Sequence, residues 1–364
     1  MGANWGQTIR LSIFGESHGK AIGINIDGLP AGIEIIDEYI EREMQRRAPG
    51  KNRFSTQRKE SDGYEILSGI YEGRTTGAPM CVIIRNEDKK SKDYSDLKIM
   101  MRPSHSDYPA YIKYRGYNDV RGGGHFSGRI TAPIVFAGAI AKIILAQKNI
   151  YVGAQITSIK GIEIEGLTKE ELNKEVFEKL ANKEMAIIDE KKIQKIKAEI
   201  EKARVTGDSV GGTISCYAVG VPSGVGEPFF DSLESTIAHL AFSIPAVKGI
   251  EFGSGFDITR YYGSEVNDQY HYNSGKVETL TNNNGGILGG ISNGMPISFK
   301  VAIKPTPSIS KEQNTVNIRS EENCKLLIEG RHDPCIVPRA VVVIEAIMAI
   351  ALLDKIFESG GKYE

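Results

Sequence analysis

Cysteine is scarce. The 364 residues hold four, at 81, 216, 324 and 335, and no two form a C-x-x-C pair. That argues against a zinc site of the usual spacing and against a disulfide framework. Reduced thiols in a cytoplasmic setting are expected. A surplus of charge of either sign is also missing: 45 Lys and Arg stand against 46 Asp and Glu, for a net charge of −1. A nucleic-acid binder would normally carry a strongly basic domain, so no nucleic-acid partner is expected. Long hydrophobic runs are missing too. The most apolar stretch, Ala340 to Leu353, is too short for a bilayer and contains Glu345, so it reads as a buried helix and no membrane partner is expected. The start, MGANWGQTIR, lacks the apolar core of a signal peptide. Neither G-x-G-x-x-G nor G-x-x-x-x-G-K-[ST] occurs, and there is no repeat of fixed period.

What the chain has in abundance is glycine, 40 residues, clustered in RGGGHFSGR (121–129), GDSVGGTIS (207–215) and NNNGGILGGISNG (282–294). Such clusters serve tight turns and places where backbone approaches a ligand. Helix signals follow Asp37, run from Thr131, open at the capping box TKEE (168–171), cover roughly 189 to 204, start at DSLE (231–234) and close the chain after Pro338. Between them YEILSGIYEG, APMCVIIRN, GTISCYAVGV and MPISFKVAIK read as strands, several with alternating polarity. The regular β-α-β alternation of a doubly wound sheet is absent. The pattern gives an α+β fold, antiparallel sheets packed on helices, in a single domain over 1–364.

GESHG (15–19) meets the bare G-x-S-x-G pattern, but a nucleophile elbow should lead into a helix. Here KAIGINIDGLP reads as a second strand, so a hairpin is expected. If Ser17 and His18 lay on a strand they would point to opposite faces, so no local contact between them is expected. The six histidines are more telling. Four fall among Gly, Arg, Ser or Asp: His18, His105 in RPSHSD, His125 in GGGHFSGR and His332 in GRHDPC. His239 reads as a half-core helix residue and His271 as loop. Arginines crowd the same blocks: 46, 47, 53, 58, 102, 121, 129, 331 and 339. Guanidinium forks suit carboxylate and phosphate, and an imidazole can protonate a leaving phosphate near neutral pH. Any one arginine could simply pair with a surface carboxylate. The whole set, beside Gly and His motifs, points to a site for a small polyanion.

Seven blocks in order resemble the chorismate synthase family: GESHGKAIGINIDGLP, RRAPGKNRFSTQRKESD, RPSHSDY, GGGHFSGRITAPIVFAGA, AVKGIEFG, GGILGGISNGMPISFKVAIKPTPS and RHDPCIVPRAVVVIEA. They run from about residue 5 to 355. The resemblance implies a β-α-β sandwich with internal helices between antiparallel sheets, and a homotetramer. It implies a lyase that converts 5-enolpyruvylshikimate 3-phosphate to chorismate and phosphate, the last step of the shikimate pathway toward aromatic amino acids. This is a 1,4-anti elimination that needs reduced FMN without net redox change. By motif, His18 would protonate the departing phosphate with Ser17 beside it. His105 would stabilise the reduced flavin, and Asp333 would assist proton removal near the flavin N5. FMN would be held by His125, Phe126, Ser127, Pro245, Ala246, Gly289, Lys304, Pro305, Thr306, Pro307, Ser308 and Arg331. Arg47, Arg53 and Arg129 would meet substrate or NADPH anions.

Four positions depart from the family pattern. His125 replaces Arg, Phe126 stands where Ser is common, Ile130 replaces Glu, and Pro245 stands where Asn is frequent. Contacts at 125, 126 and 245 are therefore expected to run through backbone or other chemistry. With no dinucleotide fingerprint an external reductant is expected, NADPH being the alternative. No metal is expected. Two rival readings remain open: a flavin oxidoreductase acting on a polyanionic small molecule, and a non-catalytic polyanion-binding module.

Overall fold

A computed structural model describes residues 2–50, 62–87, 98–328 and 332–360. Arg53 and Arg331 lie outside the described residues. Two five-stranded antiparallel sheets form the outer layers. In the first, the strand order is Asn4–Trp5, Arg10–Gly15, Ala21–Asp27, Met80–Arg85, Tyr64–Ser68. In the second it is Val247–Phe252, Ile297–Ile303, Gly212–Val219, Tyr151–Ile159, Ile162–Glu163.

Helices fill the space between. The Thr131–Gln147 helix packs on the first sheet, the Val337–Glu358 helix on the second, and each packs along the other. Both carry apolar residues on every side, as buried helices do, with few charges among them, Lys142 on the first and Glu345 on the second included. They approach closely: a Cβ on Gly138 would lie 2.3 Å from the Ala346 Cβ. Residues 128–147 are long and apolar enough to cross a bilayer by composition, but here they are core. Ile22, Ile24 and Ile26 face Val82 and Ile84 on the inner side of the first sheet, all buried. At the shared core the Asp37–Arg47 helix adds a buried charge cluster, in which Lys142 Nζ donates to Glu43 Oε2 at 2.7 Å and Arg46 Nη2 to Glu345 Oε1 at 2.7 Å. Arg46, read from sequence among the anion-binding cations, is thus committed to the core.

Several local expectations change. The TKEE capping box is real, with Thr168 and Glu171 bonding reciprocally, but it closes only a 3-10 turn at Lys169–Glu171; the helix starts at Lys174 with Asn173 as its cap. His271 lies on a strand, Tyr270–Asn273, and not in a loop. The strands flanking GESHG pair from Arg10↔Asp27 to Gly15↔Ile22, so the hairpin is as expected.

Candidate active site

The hairpin turn brings Ser17 and His18 together. Ser17 Oγ lies 3.3 Å from His18 Nδ1, and both side chains are buried. The expectation of no contact fails because these residues occupy a turn, where side-chain directions do not alternate. Ser17 Oγ donates to the Arg121 carbonyl at 3.2 Å, and Ser17 N to Gly124 O at 3.1 Å. The turn is thereby fastened to the triple glycine.

Gly122, Gly123 and Gly124 have φ of 60°, 91° and 55°, a run that side chains would strain. Their bare backbone fits between two imidazoles. A Cβ on Gly122 would lie 2.2 Å from His18 Nδ1, and one on Gly123 would lie 3.3 Å from His105 Nε2. Two histidines separated by 87 positions in sequence are thus gathered at one strip of backbone.

His105 sits under a buried Arg102–Asp107 pair. Arg102 Nε donates to Asp107 Oδ2 at 2.7 Å, and His105 Nδ1 lies 2.6 Å from Asp107 Oδ1. Burial works to raise the Asp107 carboxyl, but the hydrogen bonds from Arg102 and His105 outweigh it and hold it well below the carboxylate range. The loop is held from the other side by Lys304, whose Nζ donates to Ser104 O at 2.6 Å. Burial, and then Lys248, lowers the Lys304 pKa.

A third assembly surrounds Asp62. Arg47 Nε donates to Asp62 Oδ2 at 2.7 Å, and Arg129 Nη1 donates to Asp62 Oδ1. Arg129 Nε donates to Asn86 Oδ1 at 3.1 Å, while Asn86 Nδ2 donates to Glu16 O and Gly19 O at 3.0 and 3.1 Å, inside the His18 turn. Arg339 Nε donates to Arg47 O at 3.0 Å, and its Nη1 to Asp333 Oδ2 at 2.7 Å. One frame of hydrogen bonds therefore runs from the His18 turn to Asp333. Burial lowers the Arg47 pKa against the pull of Asp62, and Arg339 and Arg129 lower it further, to about 10.

These groups border a cavity of about 940 Å³. Arg47, Arg102, Arg129 and Arg339, with His105 and Lys304, supply the polar side; Ile130, Ile134, Leu240 and Val343 supply the apolar side. His125, Phe126, Ser127, Pro245, Ala246, Thr306, Pro307, Ser308 and Asp333 line it as well. Ser17 and His18 stand just behind Gly122, which does line it. Pro305 does not line the cavity, and Gly289 lies in the turn between Leu288 and Ile291, also away from it. The histidine that sequence reasoning passed over, His239, lines the cavity. His332 lines it too; burial lowers its pKa against the Ile328 carbonyl, and the Arg102 charge adds to the lowering. Among the described residues no cluster of potential metal ligands occurs.

The family model for chorismate synthase matches residues 9–357. The chain belongs to the chorismate synthase family. Chorismate synthase from Pyrococcus abyssi is 48% identical over 349 residues, covering 96% of each chain. That from Dehalococcoides mccartyi is 44% identical over 360 residues, covering 99% of this chain and 98% of its own. A crystal structure of chorismate synthase superposes with a TM-score of 0.74 at 31% identity, over 98% of this chain and 93% of that one. The α+β sandwich inferred from the sequence is the family fold, and the chain is a lyase of aromatic biosynthesis.

Proposed function

We propose that the chain removes phosphate from 5-enolpyruvylshikimate 3-phosphate by 1,4-anti elimination to give chorismate, with reduced FMN and no net redox change. The supporting observation is the joining of His18, His105 and the Asp62 arginine frame around one cavity. Its volume is at the upper end of the roughly 300–1,000 Å³ usual for ligand sites, with room for a planar cofactor and a small ring beside it.

The residues present suit FMN. Gly122 borders the cavity as bare backbone, beside His125, Phe126 and Ser127. Ser127, the 245–246 backbone, Lys304 and Thr306 to Ser308 offer donors and one cation for a flavin and its phosphate. Ala246 takes φ 76° to turn its chain into the lining, and its carbonyl accepts from Lys304 N at 2.9 Å. When bound, reduced FMN would lend electron density to the reacting ring and recover it.

The chain's own groups do the rest. Arg47, Arg129 and Arg339 line the cavity, and their guanidinium groups suit the substrate's phosphate and carboxylates. His18, oriented by Ser17, protonates the phosphate oxygen as the C–O bond breaks with its electron pair. Asp333, held by Arg339, accepts the proton lost from the ring. His105 presents Nε2 to the cofactor. The apolar wall excludes water, which strengthens each charge interaction. A homotetramer in the cytoplasm, fed by an external reductant, completes the reading.

Anaerobic phosphate release with photoreduced FMN tests it. Release of many equivalents of phosphate per equivalent of reductant is expected. Stoichiometric consumption of reductant would make the chain an oxidoreductase, and tight binding without turnover would make it a binding module.

A further inference from the structure

Asn86 directly follows the Met80–Arg85 strand and is buried. Its backbone extends the pairing one step past Ala21↔Arg85, with Asn86 N donating to Lys20 O at 3.3 Å. Its side chain turns over the loop that holds Ser17 and His18. Nδ2 donates to Glu16 O at 3.0 Å and to Gly19 O at 3.1 Å, the carbonyls on either side of that pair. Oδ1 accepts from Arg129 Nε at 3.1 Å. Carbonyl oxygens only accept and a guanidinium only donates, so these partners admit one orientation of the amide. Both of its hydrogens and its oxygen are then engaged.

We propose that Asn86 is a positioning residue for His18. Its amide clamps the two carbonyls that bracket the serine–histidine pair, and its oxygen keys the clamp to Arg129. The imidazole and a guanidinium of the cavity wall are thereby held at one spacing. That His18 acts as a proton donor rests on the elimination proposed above; the clamp does not.

The turn has a second fastening. Ser17 N donates to Gly124 O, and Ser17 Oγ to Arg121 O. Gly19 N donates to Glu16 O at 2.9 Å and closes the turn on itself. Loss of the Asn86 donors should therefore shift the turn and not release it. The His18 ring already lies against the Gly122 backbone, so it has no slack on that side. A small displacement is enough to matter, since about 1 Å at a reacting group can cost about a hundredfold in rate.

Two variants test the clamp. Asn86→Asp keeps the shape and the acceptor for Arg129 Nε, but an ionised carboxylate has no donor for the two carbonyls. Asn86→Ala removes both functions. Asn86→Asp is expected to fold, and its crystal structure to show the 16–19 turn drawn away from residue 86, the His18 ring off Gly122 and the contact to Arg129 kept. Its kcat should fall about tenfold or more. In Asn86→Ala, formamide, which brings back an amide, should restore part of the lost kcat, and formate, which has no donor, should not. A folded Asn86→Asp with the His18 ring in its parental place, or with kcat within a few-fold of the parent, overturns the proposal, as does equal rescue by formate and formamide. Failure of both variants to fold would assign the amide to folding alone and overturn it too. A parent that releases no phosphate would sink the proposed reaction, while the place of the ring in Asn86→Asp would still decide the clamp.

Discussion

Gly122 lies flush against His18: a Cβ at this glycine would sit 2.1 Å from the imidazole Cε1, 2.2 Å from Nδ1 and 2.9 Å from Ser17 Oγ. Nothing larger than hydrogen fits while the ring stays in place. The next residue, Gly123, keeps a looser distance of 3.3 Å from His105. The glycine cluster thus spaces two imidazoles, and it does so by omitting side chains.

Gly122→Ala should therefore cost far more activity than stability. The strain of φ 60° in alanine is of the order of 1–2 kcal/mol. Displacing His18 should cut kcat/KM by about a hundredfold or more. Gly123→Ala carries similar backbone strain but a milder steric conflict, so its activity loss should be smaller. Thermal melts beside phosphate-release kinetics check both, and equal activity losses would argue against the spacing role.

This spacing was legible in the sequence only as composition. RGGGHFSGR announced a close backbone approach, but which rings it would meet depended on contacts 104 and 18 positions apart. Asp62 and Asn86 had no readable signal: their partners lie 15, 43 and 67 residues away, and a polar residue chooses such partners only once the chain has folded. Asp107 did have one, the His-x-Asp spacing of SHSD. Strands with one polar face, such as Ile297–Ile303, were legible from alternation. Tyr151–Ile159 was missed because its last seven residues are all buried, so both faces are covered and no alternation remains.

Asp62→Ala should destabilise the fold strongly. The carboxylate is buried between Arg47 and Arg129, and its loss leaves two buried guanidinium groups facing each other. Breaking such a group typically costs about 3–5 kcal/mol. Urea titration should show the midpoint fall with little change in slope. A shift equivalent to less than about 1 kcal/mol would mean that water or neighbouring groups already satisfy the arginines.

Acid should unfold the protein through the core charge cluster. Burial works to raise the Glu43 pKa, but the Lys142 and Arg46 charges outweigh it and bring it from 4.5 to about 2. Glu345 shifts in the same direction, against its own burial, through Arg46 and Lys142. A depressed folded-state pKa adds stability that is fully present above the unfolded value. That contribution should be lost as pH falls from about 4.5 toward 2. Glu43→Gln should be less stable at neutral pH and flatter across this window. Identical pH slopes for the two proteins, measured by urea midpoints, would remove Glu43 from the explanation.

Replacing either imidazole should separate chemistry from folding. His18→Ala and His105→Ala are each expected to slow turnover by about a hundredfold or more with the fold intact. For His18 the deficit should appear mainly in kcat, because its proposed role is to protonate the departing phosphate. Activity within a few-fold of the parent would exclude that residue from the chemistry.

His125 offers the opposite expectation. Its ring reaches back to the Gly15 carbonyl, with Nδ1 to O at 2.9 Å, and the residue, largely exposed, lines the cavity. The family pattern places arginine here, and a guanidinium can also donate to that carbonyl. His125→Arg should therefore be tolerated, with FMN affinity changed by less than about tenfold, or 1.4 kcal/mol. Flavin fluorescence titration gives the number directly. A greater loss would mean that the imidazole itself, and not the backbone beneath it, holds the cofactor, and that the substitution of arginine by histidine in this chain changed how FMN is gripped.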